Sequence, residues 1–137
     1  MELVLDNSIT MAWFMPDERP KRAMGLLDRV VHEGAVVPAL WPIEIGNTLT
    51  IAVRRGRISS AERNVALERL SGLPIEVDSQ THAQAWGDTL HLAERFRLTL
   101  YDACYLELAQ RRALPLATLD RDLRAAGKKL GLDMLGV

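Results

Sequence analysis

The sequence predicts an α/β protein in which a mostly parallel sheet is covered by helices on both faces, and two observations carry that expectation. Short apolar runs of strand length recur at Leu3-Val4-Leu5, Ala35-Val36-Val37 and Leu114-Pro115-Leu116-Ala117-Thr118. Between them the apolar residues take helical spacing, so strands and helices alternate. No internal repeat, low-complexity tract or linker is visible, and residues 1–137 are expected to form a single domain.

Each element has a local reason. Leu3-Val4-Leu5 reads as a fully buried strand, and the turn and cap formers Asp6-Asn7-Ser8 stop it, leaving Asp6 at its carboxyl end. Ile9 to Met15 forms a short helix that Pro16 breaks, and Pro20 reopens helical spacing through Ala23, Leu26, Leu27, Val30 and Val31 as far as Gly34. Ala35-Val36-Val37 is the second strand, ended by Pro38. From Leu40 to Gly56 helical spacing returns, with Glu44 the only acid in that span. Ser59 and Glu62 form a capping-box pattern that starts another helix, closed near Gly72 and Pro74. Pro74-Ile75-Glu76-Val77 is a weak strand, after which Asp78 or Ser79 is expected to cap one long helix through Ala83, Trp86, Leu90 and Ala93 to Phe96. A central helix follows, because Leu100, Ala103, Cys104, Leu106 and Leu108 occupy most of its circumference. Thr99 and Asp102 fit a second capping box at its start. The strand at Leu114–Thr118, a helix from about Asp120 to Leu130, and an edge strand within Leu132–Val137 complete the chain.

Composition sets bounds on function. With 48% hydrophobic and 26% charged residues the chain is an ordinary globular protein, which excludes wholesale disorder. A net charge of -1 gives no overall attraction to nucleic acid, so a polyanionic substrate needs a local basic patch. The single cysteine, Cys104, has no intrachain partner and reads as a buried small hydrophobe in a reducing compartment. The first residues lack the features of a signal peptide and no run approaches membrane-spanning length, so the expected location is cytoplasmic.

The chemistry lies in the acids. Asp6 and Asp120 follow the carboxyl ends of strands, and Glu44 and Asp102 stand early in helices that lean over the same crevice of a parallel sheet. Singly, each has an ordinary role as turn former, cap or solvated helix residue. Together they are harder to explain that way, because two carboxylates about 5 Å apart repel by roughly 3 kcal/mol at an effective dielectric near 20. Such a cluster holds protons or a hard cation, Mg²⁺ or Mn²⁺, which brings phosphodiester chemistry within reach.

At this point a resemblance becomes specific. Val4-Leu5-Asp6-Asn7-Ser8, Glu44-Ile45-Gly46-Asn47-Thr48-Leu49, Asp102-Ala103-Cys104-Tyr105-Leu106-Glu107-Leu108-Ala109 and Thr118-Leu119-Asp120 resemble, in order and spacing, the acidic motifs of the PIN-domain nucleases. The compact length looks most like a VapC-type toxin. The resemblance implies a PIN-like three-layer sandwich and a Mg²⁺-dependent endoribonuclease of a toxin–antitoxin pair, a homodimer inhibited by a cognate antitoxin. Carried over by motif, Asp6, Glu44, Asp102 and Asp120 are the metal-binding acids, Thr118 positions Asp120 or a water, and Asn7 and Ser8 shape the adjoining loop. Asp122 is the alternative to Asp120, which is favoured because it follows Thr118 by two residues; otherwise Asp122 is an exposed first-turn acid.

The remaining polar and aromatic residues compete weakly for a site. His82 and His91 lack the spacing of paired ligands on one helical face, and His32 stands alone. Trp13, Trp41 and Trp86 read as core or interface residues. Arg121 and Arg124, within a turn of Asp120, are candidates for contacts to RNA phosphates. Ile45, Leu49, Ala52 and Val53 are candidates for a face shared between the sheet and a partner. Two rival functions remain at this stage: a receiver-like phosphotransfer domain, which wants adjacent acids after its first strand and a late lysine, and a binding module that has kept the fold without the chemistry.

Overall fold

The computed structural model describes residues 1–15 and 21–137, so the expected helix break at Pro16 and restart at Pro20 lie outside the described residues. The elements run β1 (Leu3–Leu5), α1 (Asn7–Phe14), α2 (Lys21–Glu33), β2 (Ala35–Val37), α3 (Trp41–Arg54), α4 (Ser60–Ser71), β3 (Ile75–Val77), α5 (Thr81–Gln84), α6 (Asp88–Phe96), α7 (Leu100–Arg112), β4 (Leu116–Ala117), α8 (Arg121–Lys129) and β5 (Met134–Leu135). The five strands form one sheet in the order β3-β2-β1-β4-β5, and every pairing is parallel. The sheet is thus wholly parallel.

The strand order places the crevice. From β1 the chain winds outward through β2 to β3, then returns to the other side of β1 with β4 and β5. The order reverses between β1 and β4, and in open parallel sheets the carboxyl ends at such a point leave a gap that connecting loops do not cross. Asp6 directly follows β1, and Thr118 directly follows β4. Register fixes them at adjoining levels: Leu5 lies opposite Ala117, and the Asp6 N–H donates to the Ala117 carbonyl at 3.0 Å.

Burial follows the apolar pattern. Leu3, Val4, Leu5, Ala35, Val36, Val37, Leu116 and Ala117 have no exposed surface, as strands covered on both faces require. Helix α7 is enclosed as its composition predicts: every residue from Ala103 to Ala109 is buried, the acid Glu107 included. Gly34 ends α2 at φ +84°, where a side chain would be strained, and so turns the chain directly into β2.

Three expectations are corrected. The long helix over 78–96 is broken: α5 ends at Gln84, α6 restarts at Asp88, and Trp86 between them is 89% exposed instead of packed inward. Gly87, a weak helix former, sits in that break, and Gln80 is the N-cap of α5, while Asp78 is held by arginines from α7 and accepts from the Gln80 N–H at 3.2 Å. Helix α1 begins at Asn7, so the expected turn is its first turn, with Asp6 at the N-cap. Ile45, Leu49 and Ala52 face this chain's own core, at 2%, 0% and 3% exposure, and are not available to a partner. Val53 is partly buried, and Ile43 on the same helix and Val65 and Leu67 on α4 are exposed.

Candidate functional site

The site is assembled by hydrogen bonds between distant segments. Asp6 is buried, and its Oδ2 accepts from Ser8 Oγ at 2.7 Å and from Thr118 Oγ1 at 2.7 Å. Thr118 Oγ1 also accepts from the Asp120 N–H at 3.0 Å, so one hydroxyl aligns two acids from opposite sides of the β1–β4 junction. Ser8 Oγ likewise accepts from the Leu119 N–H at 2.9 Å. Asp120 caps α8 through Oδ1, which accepts from the Leu123 N–H at 2.9 Å.

Glu44 and Asp102 reach the same place from helix starts. Glu44 lies in the first turn of α3, which Asn7 ties to α1: Asn7 Nδ2 donates to Thr48 Oγ1 at 3.1 Å, and Thr48 Oγ1 donates to the Glu44 carbonyl at 2.9 Å. Glu44 Oε1 accepts a hydrogen bond from the hydroxyl of Tyr105, a fully buried residue one turn beyond Asp102 on α7. Asp102 shows how a cap and a site differ. Thr99 Oγ1 accepts from the Asp102 N–H at 3.1 Å, but no return bond joins the Asp102 carboxylate to the Thr99 N–H. At α4 both bonds of the Ser59–Glu62 box are made. The Asp102 carboxylate instead interacts with the Thr99 side chain and feels the charges of Asp6 and Asp120.

The acids feel one another's charge: Glu44 that of Asp6 and Asp102, and Asp102 that of Asp6 and Asp120. Burial raises the Asp6 pKa beyond what its hydroxyl partners restore. Burial also raises Glu44, with the charges of Asp6 and Asp102 adding to it against the Tyr105 bond. Asp102 is raised by burial, then by the charges of Asp6 and Asp120, and least by that of Asp122. Asp120 is therefore the nearer influence, while Asp122 is exposed beside the cluster. Among the described residues no lysine or arginine forms an ion pair with any of the four acids.

The donor set fits a hard divalent cation. All the groups are carboxylate oxygens, and among the described residues Glu44 and Asp120 each keep an oxygen with no hydrogen bond. No three His, Cys, Asp or Glu side chains among the described residues form a ready-made coordination shell. The acids lie within range of each other's charge without forming a closed coordination shell among the described residues.

Other expectations meet the structure as follows. Arg124 is committed to the fold, its Nη1 donating to the Thr118 and Leu135 carbonyls at 2.8 Å each, whereas Arg121 is exposed. Trp13 and Trp41 are buried, and Cys104 is buried with its thiol pushed up to about 11 by burial and neighbouring acids, so it stays neutral. No described helix is long and apolar enough to cross a membrane. Sequence reasoning missed Tyr105, although its three-residue spacing from Asp102 places both on one face of α7.

This fold and this acid-lined crevice define a class. The PIN domain family matches residues 3–129, and the chain belongs to it. Within that family the chain is similar to Ribonuclease VapC3 of Pyrobaculum aerophilum, at 32% identity over 125 residues, 90% of this chain and 92% of the relative. Among solved structures, PAE2754 from Pyrobaculum aerophilum aligns with a TM-score of 0.70 at 26% identity, covering 98% of this chain and 89% of that one. FitAcB from Neisseria gonorrhoeae aligns with a TM-score of 0.67 at 17% identity, covering 98% and 96%, a likeness of fold alone.

Proposed function

We propose that residues 1–137 form a single PIN nuclease domain that hydrolyses internal phosphodiester bonds of RNA with Mg²⁺, for which Mn²⁺ substitutes. The observation that carries this reading is the convergence of Asp6, Glu44, Asp102 and Asp120 on the β1–β4 junction with, among the described residues, no cationic side chain paired to them. Bound there, the ion supplies charge stabilisation at the scissile phosphate and an acidified attacking water. The chain's part is positioning. Ser8 and Thr118 fix Asp6, Thr118 and the α8 N-terminus fix Asp120, and Tyr105 with the Asn7–Thr48 link fixes Glu44. Asp6, Glu44, Asp102 and Asp120 would hold the ion, and burial raises the proton affinity of Asp6, Glu44 and Asp102, with mutual repulsion adding to it at Glu44 and Asp102.

Kinship with a VapC ribonuclease supports the RNA substrate and a place in a toxin–antitoxin pair in the cytoplasm, with a cognate antitoxin holding the enzyme inactive. Exposed Ile43, Val65 and Leu67 supply apolar surface for self-association as a homodimer. The test is cleavage of single-stranded RNA in Mg²⁺. Asp6→Asn and Asp102→Asn each lower the rate at least about 1,000-fold with an unchanged circular dichroism spectrum, and excess EDTA does the same to the unsubstituted chain. Full activity in both variants, or in EDTA, would overturn the reading.

A further inference from the structure

The acids that hold a cation also repel the substrate proposed above, and the net charge of -1 offers no general attraction to compensate. Cations flank the segments that carry the third and fourth acids: the end of α6, just before α7, and α8 itself. Arg95 and Phe96 lie in the last turn of α6, and Arg97 ends that helix in a left-handed conformation at φ 55°. Helix α7, with Asp102 in its first turn, starts three residues later. Across from this turn lies α8, which begins at the Asp120 cap. The two elements enclose a groove of about 220 Å³ lined by Arg95, Phe96, Arg97, Asp122 and Lys129, with two alanines of α8 completing it.

The groove is electrically one-sided. Arg95, Arg97 and Lys129 are exposed and form no ion pair among the described residues, and the only acid among the lining residues is Asp122. Asp122 marks the end nearest the acid cluster, since its charge reaches Asp102. Lys129 lies seven residues further along α8, about 10 Å away along the helix axis. Arg95 is held with its guanidinium carbon 4.7 Å from the centre of the Phe96 ring, and stacking of this kind leaves in-plane donors for a further partner. The alanine lining lets a chain approach closely. Such a groove is open and elongated, with cations along it and metal-binding acids at one end, and it suits a running phosphate backbone better than a small anion.

We propose that this groove between the end of α6 and α8 is the track along which the substrate RNA strand is held beside the cleavage site, with Arg97 and Lys129 contacting successive phosphates. The identity of the ligand rests on the nuclease reading, and the test keeps the two apart. The full chain carrying Asp102→Asn, so that RNA is bound and not cut, is titrated in EDTA against a labelled single-stranded oligoribonucleotide, read by fluorescence anisotropy over a salt series. Arg97→Asn, a residue that tolerates the left-handed backbone, is combined with Lys129→Gln. This pair weakens binding at least tenfold at low salt and lowers the slope of log affinity against log salt by about 1.4, which is ~0.7 for each lost phosphate contact. Lys21→Gln with Arg22→Gln on α2 removes the same charge elsewhere and leaves the slope in place.

Absence of RNA binding, equal losses in the two double variants, or equal affinity for a polyglutamate of matching length would overturn the groove. None of these outcomes touches the cleavage assay on the unsubstituted chain. Conversely, groove-dependent RNA binding by a chain that never cleaves would sustain the track and remove the nuclease.

Discussion

The molecule buries carboxylates in two places and treats them in opposite ways. At the carboxyl end of β3, Asp78 is buried yet fully paired: Arg111 donates to both its oxygens at 3.1 and 2.7 Å, and Arg112 adds a third bond at 3.0 Å. Arg111 also grips buried Glu107 at 2.8 Å, and Arg112 reaches Glu76 at 2.7 Å. At the carboxyl ends of β1 and β4, four acids gather with hydroxyls, amides and a phenol as partners and, among the described residues, no paired cationic side chain. The consequence appears in their proton affinities. Burial works against the Asp78 carboxylate, but the arginine bonds outweigh it and hold its pKa low, whereas Asp6, Glu44 and Asp102 are all raised. Where the protein needs a carboxylate for stability it supplies the counterion itself. Where it does not, the cluster stores repulsion that an outside cation relieves.

Breaking the paired region gives the largest effect on stability. Asp78→Asn leaves two guanidiniums short of a partner and costs about 2 kcal/mol in urea unfolding, below the fully buried figure because both arginines reach solvent. Mn²⁺ affinity is unchanged in that variant. A smaller effect, on the other region alone, comes from Tyr105→Phe, which frees Glu44 Oε1. It weakens Mn²⁺ binding about tenfold, as loss of a residue that orients a ligand does, and costs about 1 kcal/mol of stability.

The smallest effect is a difference in slope with pH, measured in EDTA. Asp6, Glu44 and Asp102 bind protons more tightly when folded, so the stability they contribute is present below the ordinary carboxylate range near 4 and is lost as pH rises through their raised values. Asp78 has the opposite sign: its contribution is present above that range and is lost as pH falls through its lowered value. Asp102→Asn therefore stabilises the metal-free chain at pH 7 by about 1 kcal/mol and flattens the decline between pH 4 and 7. A destabilised Asp102→Asn chain with an unaltered slope would show that the cluster is not repulsive.

The contrast between the regions also explains what the sequence reveals. Leu3-Val4-Leu5 and Ala35-Val36-Val37 announce a parallel sheet because both faces are apolar, and the stop at Asp6 marks the carboxyl end where a crevice forms. Thr118 and Asp120 are readable for the same reason, lying just past a strand. The Asp78–Arg111 bond spans 33 positions and the Tyr105–Glu44 bond spans 61, and no local pattern carries either. Asp78 looked like a helix cap because Asp before an apolar-periodic segment usually is one, and tertiary pairing overrode that preference. Arg124 looked free to meet RNA for a similar reason, since its two carbonyl partners come from strand ends that only the folded sheet brings together.

Calorimetric titration of the metal-free chain with Mn²⁺ at pH 7 tests most directly whether the unpaired acids form a cation site. The account predicts saturable binding, lost in Asp6→Asn and in Asp102→Asn but kept in Asp78→Asn. Binding that survives both site substitutions, or heat no larger than dilution in the unsubstituted chain, would contradict it.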